Sequence, residues 1–501
     1  MRSVQLVRSV VLVVLGLAAC KGEQAPAPPP PSPGPEPAPA PEPEEPSPFP
    51  PSTLSLKLRR TVGVRYEPYE AAKRIGTIAI DTRVGWTRTA RGEGCASVWV
   101  ELRPRGWVCA EHLEPRPEPP RGDELPRLDR GEIVPGVYGK VVDQGATTMV
   151  LETPKPAAKG KKAGKAKAAK RGAPVTSPSQ VSAAAEPAAD GPRLVPGKPV
   201  VGSVNVRQYK ELTFEDKLYW KISPTENEYL LASSIHRHKP SEFPGARLGD
   251  DTGLVAPVAF VWPRGGGLTA WTRATARAGT LRQLPRRTVV SLLEFASDAT
   301  GKPFAARIGP AEWIDLISVR PFTAAPPPAL LVPNERWIDI DLDAQILVAY
   351  EGELPVYATL ISSGAKQTPT ETGVYRIWKK MAENDMNGLT GEDPYSVATV
   401  PWTQFFSPEK GLALHSAYWH DGFGNTKSHG CVNLAPMDAR WLYFWSDPFV
   451  PPGWTMAAGI TEAPGSIVRV RSKAEPTPEL RGYARRVQEL RASGAPAADE
   501  P

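Results

Sequence analysis

Alternation of apolar and polar residues is the clearest pattern in the second half of the chain. The segments 337–342 and 346–350 alternate in this way, and a Glu-Gly pair separates the second from a third run at 354–362. A period of two is typical of strands that bury one face, and glycine between two such runs favours a tight hairpin. We therefore predict a three-stranded meander, followed by a further strand at 374–378.

The next elements alternate between loop, strand and helix. Residues 381–400 form a long, polar, glycine-containing stretch, and loops of that length in compact domains are often lids. The short apolar run 411–414 predicts a strand that delivers His415 at its end. Pro436 begins a predicted helix, and Asp438 in its first turn complements the positive end of the helix dipole. The apolar face expected for this helix consists of Met437, Trp441, Leu442, Phe444 and Trp445.

Short β-prone runs, separated by glycine and proline, dominate residues 54–115. Around Trp99 and Trp107, two such runs flank an Arg-Pro-Arg-Gly turn, which predicts a hairpin. A similar pattern of two β-prone runs recurs at 219–232 and at 276–315. This arrangement resembles the small Src-homology-3-like barrels of secreted bacterial envelope proteins, whose aromatic residues we expect in the module cores. The predicted modules occupy residues 53–116 and further β modules lie within 117–325.

Composition separates folded from unfolded segments. A hydrophobic fraction of 41% and 14 tryptophans supply real cores, but 58 prolines mark low-complexity tracts that cannot bury enough apolar surface to fold. Much of the net charge of +6 comes from the run 155–171, so it says little about any folded face, and no nucleic-acid partner is expected. That run either attracts anionic wall polymers and lipid head groups or merely aids solubility. The predicted unfolded segments are a proline-rich linker at 21–52, a Lys/Ala-rich insert at 155–192 and a tail at 473–501.

The N-terminus indicates the compartment. Arg2 and Arg8 precede an apolar run at 10–17, and a Leu-Ala-Ala-Cys sequence ends at Cys20. This order is typical of a secretory signal, and it resembles the lipobox of bacterial lipoproteins, which implies lipidation of Cys20 after cleavage of the signal peptide within residues 1–20. An ordinary signal peptide or a short membrane helix is the alternative, although the apolar run is too short to span comfortably. We expect a protein of the cell envelope, on the periplasmic side, anchored to a membrane by its lipid.

Cysteine chemistry singles out one segment. Outside the cytosol Cys95 and Cys109 are expected to form a disulfide, which leaves Cys431 as an odd thiol. Residues 415–433 join this cysteine to three of the six histidines of the chain. A cysteine is nucleophilic as its thiolate, and a nearby imidazole can take its proton. The position just before the predicted helix is expected to lower the thiol pKa; the alternative is a buried, inert cysteine.

A known family shares this arrangement of residues. His415-Ser416 is followed by Ser428-His429-Gly430-Cys431-Val432-Asn433, with a Thr-Pro-containing turn at 368–373 before it and the Pro436 helix after it. The region resembles the catalytic domain of bacterial L,D-transpeptidases, the YkuD-type fold. The resemblance implies a mainly β fold with one or two short helices, which we place at residues 334–472. Asn433 stands where many members have arginine.

The resemblance also implies roles for individual residues. Cys431 would attack a peptidoglycan tetrapeptide stem and form a thioester, with His415 as base and the backbone carbonyl of Ser416 orienting its imidazole. No metal or cofactor is implied; the partners are stem peptides and, through Cys20, a membrane. The oxyanion site would contain His429, Gly430 and the backbone N–H of Cys431. The residues expected to bind substrate are Ser428, Asn433, Tyr375 and Trp402, while His420 is expected to be a loop residue without a role.

Three alternatives remain open at the level of sequence. Water could replace the acceptor amine, which would make the protein an L,D-carboxypeptidase or hydrolase of the same linkage. A second alternative is a zinc site built from His415, His420, His429 and Cys431, although their spacing matches no zinc motif. The third is a wall-binding lipoprotein that retains the domain without catalysis.

Overall fold

The computed structural model describes residues 48–153, 191–274, 279–388 and 394–493. The chain is mainly β, as the sequence predicts. The signal segment 1–20 with Cys20, nearly all of the proline-rich linker and the Lys/Ala-rich run lie outside the described residues. Within the described ranges no helix has the length and apolar character needed to cross a membrane.

Three β modules of eight strands each precede residues 334–472, the segment that the sequence predicts to be a catalytic domain and that is called the catalytic region. The first contains β1 (Ser55–Leu58), β2 (Val62–Arg65), β3 (Arg74–Ile78), β4 (Arg83–Val84), β5 (Trp86–Ala90), β6 (Trp99–Leu102), β7 (Trp107–Cys109) and β8 (Leu113–Arg116). The second contains β9 (Val137–Val141), β10 (Thr147–Glu152), β11 (Arg193–Pro199), β12 (Ser203–Gln208), β13 (Lys210–Phe214), β14 (Lys217–Lys221), β15 (Glu228–Leu231) and β16 (Ile235–Arg237). After β17 (Ala246–Arg247), the third contains β18 (Val258–Val261), β19 (Leu268–Trp271), β20 (Thr280–Leu284), β21 (Val289–Ser291), β22 (Glu294–Ser297), β23 (Pro303–Gly309), β24 (Glu312–Asp315) and β25 (Val319–Phe322).

The three modules share one strand order. In each, the first, fourth and eighth strands form a three-stranded sheet, and the second, third, fifth, sixth and seventh form a five-stranded sheet. A short 3-10 turn precedes the eighth strand every time. The strand pair noted in the sequence corresponds to the sixth and seventh strands of the first two modules, β6–β7 and β14–β15. In the third module the pairing was wrong, because the run that begins at 276 enters the third strand, β20, and only 311–315 contains the seventh strand, β24. In the first module Cys95 and Cys109 are joined in the expected disulfide.

The catalytic region is built from two sheets. Its strands are β26 (Arg336–Asp341), β27 (Ile346–Glu351), β28 (Leu354–Leu360), β29 (Gly373–Arg376), β30 (Lys379–Gly388), β31 (Tyr395–Ser407), β32 (Leu412–Ser416), β33 (Val432–Leu434), β34 (Trp454–Ala458) and β35 (Ile467–Arg471). One sheet has the order β17-β28-β27-β26-β35-β29; in the other, β34-β30-β31-β32-β33 are neighbours. The predicted meander is confirmed as β26, β27 and β28.

The meander sheet is covered on both faces. Leu347 and Ala349 belong to the core shared with the second sheet, whereas Val348 and Tyr350 belong to a core shared with Phe260 of the third module. Alternate residues thus enter two different cores, which is why nearly all of β27 is buried.

Two modules extend the second catalytic sheet by backbone pairing. The edge strand β12 of the second module pairs in parallel with β31, and β3 of the first module pairs antiparallel with β34. Such ladders satisfy backbone groups that would otherwise form exposed strand edges. The second sheet of the catalytic region is therefore continuous with strands of the first and second modules.

Two helices complete the described chain. Helix α1 spans Pro436–Trp445 and starts at the predicted proline. The predicted apolar face is confirmed for Leu442, which is buried, and for Trp441, Phe444 and Trp445, which pack against the core. It was wrong for Met437, which is exposed. Asp438 is buried and accepts hydrogen bonds from Tyr357 Oη (2.7 Å), Thr359 Oγ1 and the Gly245 N–H (2.6 Å). These contacts come from strands distant in sequence and turn the acid inward.

The other end of α1 is held by a buried lysine. Lys380 Nζ donates to the carbonyl of Tyr443 at 2.7 Å and to that of Ser446. These carbonyls lie at the C-terminal end of α1, where backbone acceptors lack helical partners and the dipole favours a positive charge.

Two further sequence expectations were wrong. The predicted loop 381–400 is wrong for residues 381–388 and 395–400, because these belong to β30 and β31, which pair antiparallel; residues 389–393 lie outside the described ranges. The tail expected to be unfolded contains α2 (Gly482–Ser493), whose Tyr483 and Val487 are buried. Packing partners from elsewhere in the chain order both segments.

Candidate active site

A cavity of about 310 Å³ lies around Cys431. Its wall contains the catalytic-region residues Met386, Tyr395, Val397, His415, Trp419, Lys427, Ser428, His429, Cys431 and Asn433. Four more residues come from the second module, namely Lys140, Ser203, Asn205 and His238.

Strand register brings the predicted base to the predicted nucleophile. β32 and β33 run parallel, with His415 opposite Asn433 and Leu414 opposite Val432. Because side chains alternate between the two faces of a strand, Cys431 and Asn433 share a face, and His415 shares it with them. Leu414 and Val432 point the other way, into the core. Residues sixteen apart in sequence are thus placed in one cavity by a ladder of three residue pairs.

The imidazole of His415 is buried and oriented. Its Nδ1 lies 3.0 Å from the backbone carbonyl oxygen of Ser416, as predicted. A carbonyl only accepts, so Nδ1 carries the proton and Nε2 is left as the acceptor. Burial lowers the pKa of His415 to about 4, against the opposing effect of the Ser416 carbonyl. At neutral pH the imidazole is therefore uncharged and able to take a proton.

The thiol of Cys431 is held in its protonated form. Burial raises its pKa to about 11, while a hydrogen bond from the backbone of Ala413 works in the other direction. The expected lowering by a following helix was wrong, because α1 begins five residues later, at Pro436, with β33 between them. The resting pair is a neutral thiol and a neutral imidazole, so a reaction through the Cys431 thiolate would need the thiol proton to pass to a base such as His415.

Side-chain hydroxyl groups hold the loop that carries Cys431 through hydrogen bonds. Gly430 has φ +125, a conformation that side chains disfavour. Its N–H donates to Ser428 Oγ at 3.1 Å, and its carbonyl accepts from Thr370 Oγ1 at 2.7 Å. Ser428 Oγ in turn donates to the carbonyl of Cys431. The turn 368–373, noted in the sequence, therefore braces the nucleophile loop.

These bonds revise the expected oxyanion site. The N–H of Gly430 already has Ser428 as its acceptor, which leaves the Cys431 N–H as the backbone donor to consider. His429 is exposed, lines the cavity and stacks on the ring of Tyr395 with centroids 4.6 Å apart. Gly430 thus contributes its backbone conformation rather than its N–H.

Two expected substrate residues lie elsewhere. Tyr375 and Trp402 are 1% and 0% exposed, and both belong to the hydrophobic core between the sheets. The prediction that they form substrate walls was wrong, because both rings are packed in that core. Ser416 is also fully buried, and its Oγ has no partner among the described residues, so only its carbonyl serves the site.

His420 has a place that sequence reasoning missed. It is buried; its Nδ1 accepts from the Gly422 N–H at 3.1 Å, and its Nε2 lies 3.0 Å from the side-chain amide of Asn433. The imidazole therefore holds Asn433, which lines the cavity next to His415. A histidine in a glycine-containing loop gave no local signal of this contact.

The zinc alternative finds no supporting cluster. Throughout the described ranges, which include all four proposed ligands, no group of three or more His, Cys, Asp or Glu side chains is arranged to hold a metal ion. His420 is instead engaged by Gly422 and Asn433.

Comparison with known proteins identifies the domain. Residues 335–470 match the family model of the L,D-transpeptidase catalytic domain, YkuD. Over 105 residues the chain is 32% identical to L,D-transpeptidase 2 of Mycobacterium tuberculosis, covering 20% of this chain and 25% of that protein. It is 28% identical over 136 residues to the probable L,D-transpeptidase 3 of the same species, covering 25% of this chain and 44% of that protein. The chain thus spans less than half the length of these curated relatives.

Solved structures of similar proteins carry the same name. A mutant L,D-transpeptidase of Enterococcus faecium is 25% identical, with 27% of this chain and 50% of that chain covered and a TM-score of 0.22. An L,D-transpeptidase of Mycobacterium smegmatis is 18% identical, with 47% and 89% covered and a TM-score of 0.23.

Proposed function

We propose that this chain, which carries an L,D-transpeptidase catalytic domain at residues 335–470, is a cysteine-dependent L,D-transpeptidase of peptidoglycan. The observation that carries the proposal is the register of β32 and β33, which brings His415 and Cys431 to one cavity. The hydrogen bond between Nδ1 and the Ser416 carbonyl leaves Nε2 as the acceptor for the thiol proton. A nucleophile beside an oriented base is the arrangement that acyl transfer requires.

The first half-reaction forms the acyl-enzyme. As the sulfur of Cys431 attacks the carbonyl carbon that precedes the terminal D-alanine of a tetrapeptide stem, its proton passes to Nε2 of His415. The oxygen of the tetrahedral intermediate receives a hydrogen bond from the Cys431 N–H. When the intermediate collapses, the C–N bond breaks, His415 returns the proton to the leaving amine, and a thioester remains.

The second half-reaction uses the same groups in reverse. An amine of a second stem attacks the thioester carbonyl while His415 takes its proton, and the thiolate leaves and is reprotonated. The new amide is a 3-3 crosslink, or a bond to another amine acceptor attached to the wall. The thioester conserves the energy of the original amide, so no nucleotide triphosphate is needed. Water in place of the amine would give an L,D-carboxypeptidase.

Acylation provides the test of the nucleophile. Incubation with a carbapenem, followed by intact-mass measurement, is expected to show one adduct on the wild-type chain and none on Cys431→Ala. An adduct that persists on Cys431→Ala would refute the assignment. Profiling the fragments of tetrapeptide-rich peptidoglycan after incubation then separates crosslinking from trimming, because only crosslinking yields dimers.

The proposed site of action is the periplasmic side of the cell envelope. The lipobox-like sequence ending at Cys20 supports a lipid anchor, since two or more acyl chains hold a protein stably on a membrane. In a fractionated bacterial host, the wild-type chain is expected with the membranes and Cys20→Ser in the soluble periplasmic fraction. Equal distribution of the two would contradict the anchor.

A further inference from the structure

The second β module, which lies outside the catalytic region, closes the cavity around Cys431 on one side. Lys140 lies on β9, Ser203 and Asn205 on β12, and His238 follows β16, so the module's three-stranded sheet faces the site. None of these residues falls within 335–470, the range that matches the family model.

This wall is fixed to the catalytic region by three kinds of contact. Ser203 pairs with Tyr395 in the parallel ladder between β12 and β31. Tyr138 stacks on Tyr418 with ring centroids 3.9 Å apart, in a small hydrophobic cluster. Arg207, on the same β12, forms an ion pair with Glu383 of the β30–β31 hairpin. The module therefore holds a set position relative to Cys431.

Two residues of this wall, Asn205 and His238, are hydrogen-bonded to each other. Asn205 is buried, and its Oδ1 lies 2.7 Å from Nε2 of His238. Burial, with His236 and Lys140 nearby, lowers the pKa of His238 to about 4, so this ring is neutral at physiological pH. The fixed positive charge of the wall is that of Lys140.

The charges around the cavity have one sign. Lys140 from the module and Lys427 from the catalytic region both line it, and both side chains are exposed. Among the described residues neither lysine forms an ion pair, and the cavity wall contains no Asp or Glu. A concave site with unpaired ammonium groups of one sign favours an anionic ligand.

We propose that the second β module completes the substrate site and that Lys140 binds a carboxylate of the stem peptide. This inference rests on the proposed function, since stem peptides carry free carboxylates outside the bond that is cleaved. The carboxylate belongs either to the donor stem or to the acceptor stem, and two arms of one experiment separate them.

The donor arm measures binding. The full-length chain with Cys431→Ser is titrated with a tetrapeptide stem whose carboxylates are free and with the same stem in amidated form. Lys140→Ala is expected to raise Kd for the free form about fivefold, the upper range for an exposed ion pair, and to leave the amidated form unchanged. Lys140→Arg is expected to restore binding because it keeps the charge.

The acceptor arm measures turnover. If the carboxylate belongs to the acceptor stem instead, the donor Kd stays unchanged, and Lys140→Ala in the Cys431 enzyme, with a fixed donor and varied acceptor, is expected to raise the acceptor KM about fivefold without a matching fall in kcat. Lys210→Ala, on the exposed strand β13 of the same module, is the matched control and should change neither constant.

The two arms have distinct outcomes. A dependence on Lys140 for the free form in either arm supports the subsite and says which stem it serves. No dependence in both arms, or an equal loss with free and amidated peptides, overturns it. If binding depends on Lys140 but the wild-type chain shows no turnover, the proposed function fails and the carboxylate site stands.

Discussion

The protonation state of the thiol in the resting enzyme has a direct chemical readout. With a pKa of about 11, about one Cys431 side chain in a thousand is thiolate at pH 8, whereas an ordinary cysteine is ionised to about a quarter. Alkylation by a neutral reagent such as iodoacetamide proceeds through the thiolate. We therefore expect Cys431 to react about two orders of magnitude more slowly than a free cysteine at this pH.

The assay is a pH series of alkylation rates from pH 6 to 10, followed by intact mass. Cys95 and Cys109 are joined in a disulfide, and Cys431→Ser, which keeps Cys20, measures the background. The logarithm of the Cys431 rate should rise by about one per pH unit, because the thiolate fraction does so far below the pKa. No plateau is expected below pH 9.

A variant of the base sharpens the interpretation. In a neutral pair, His415→Ala removes the proton acceptor without removing a pre-formed thiolate, so alkylation should change by less than about tenfold. Acylation by a stem peptide should instead fall by about 10²–10⁴, the usual contribution of a general base.

A plateau of high reactivity between pH 5 and 8 that disappears in His415→Ala would refute this reasoning. Such a profile is that of a thiolate–imidazolium pair, in which each charge stabilises the other more than burial opposes it. The lowered pKa of His415 and the raised pKa of Cys431, both caused by burial, argue against that state.

Three further variants test the framework of the site. Burial raises the pKa of Asp438 to about 6, so this carboxyl alone should lower the unfolding free energy by about 1.4 kcal/mol per unit as pH rises from 4 to 6. The difference in unfolding free energy between the wild-type chain and Asp438→Asn should have this slope in denaturant titrations, and a difference that does not depend on pH would refute it. Lys380→Met leaves two buried carbonyls without their donor and should lower the unfolding free energy by about 2–4 kcal/mol. Lys379→Met, at a half-exposed position, is the control. Equal losses in the two variants would contradict the role of Lys380 at the C-terminal end of α1. His420→Ala frees the amide of Asn433 and should lower kcat/KM for D-alanine release about tenfold, measured well below the Tm of the variant because a buried amide without its partner also costs stability. An unchanged kcat/KM would remove His420 from the site.

The local sequence pattern was enough to predict several elements of the catalytic region. The meander of β26, β27 and β28 follows from period-two alternation, and α1 begins where Pro436 stands. The contact between His415 and the Ser416 carbonyl, which the family resemblance implied, is also formed between adjacent residues. Each of these features depends on interactions within a few residues of the chain.

Sequence reasoning failed where a side chain's surroundings come from distant segments. Tyr375 and Trp402 were expected to be substrate aromatics, but sheet packing buries both. Asp438 has the pattern of an exposed helix-start residue, yet Tyr357 and Gly245 turn it inward. The α2 segment has the composition of an unfolded tail because its own apolar residues are few, and it is ordered by the sheet that it covers.

The amino-acid sequence alone was enough to predict His415 and Cys431 as the candidate reactive pair, and it predicted the class of fold that carries them. Tertiary structure decided how that pair behaves, because the pKa values of a thiol and an imidazole depend on how far each is removed from water. It also decided what surrounds the pair. Lys140 and Cys431 are far apart in the chain, and only the pairing of β12 with β31 brings the module of Lys140 to the cavity.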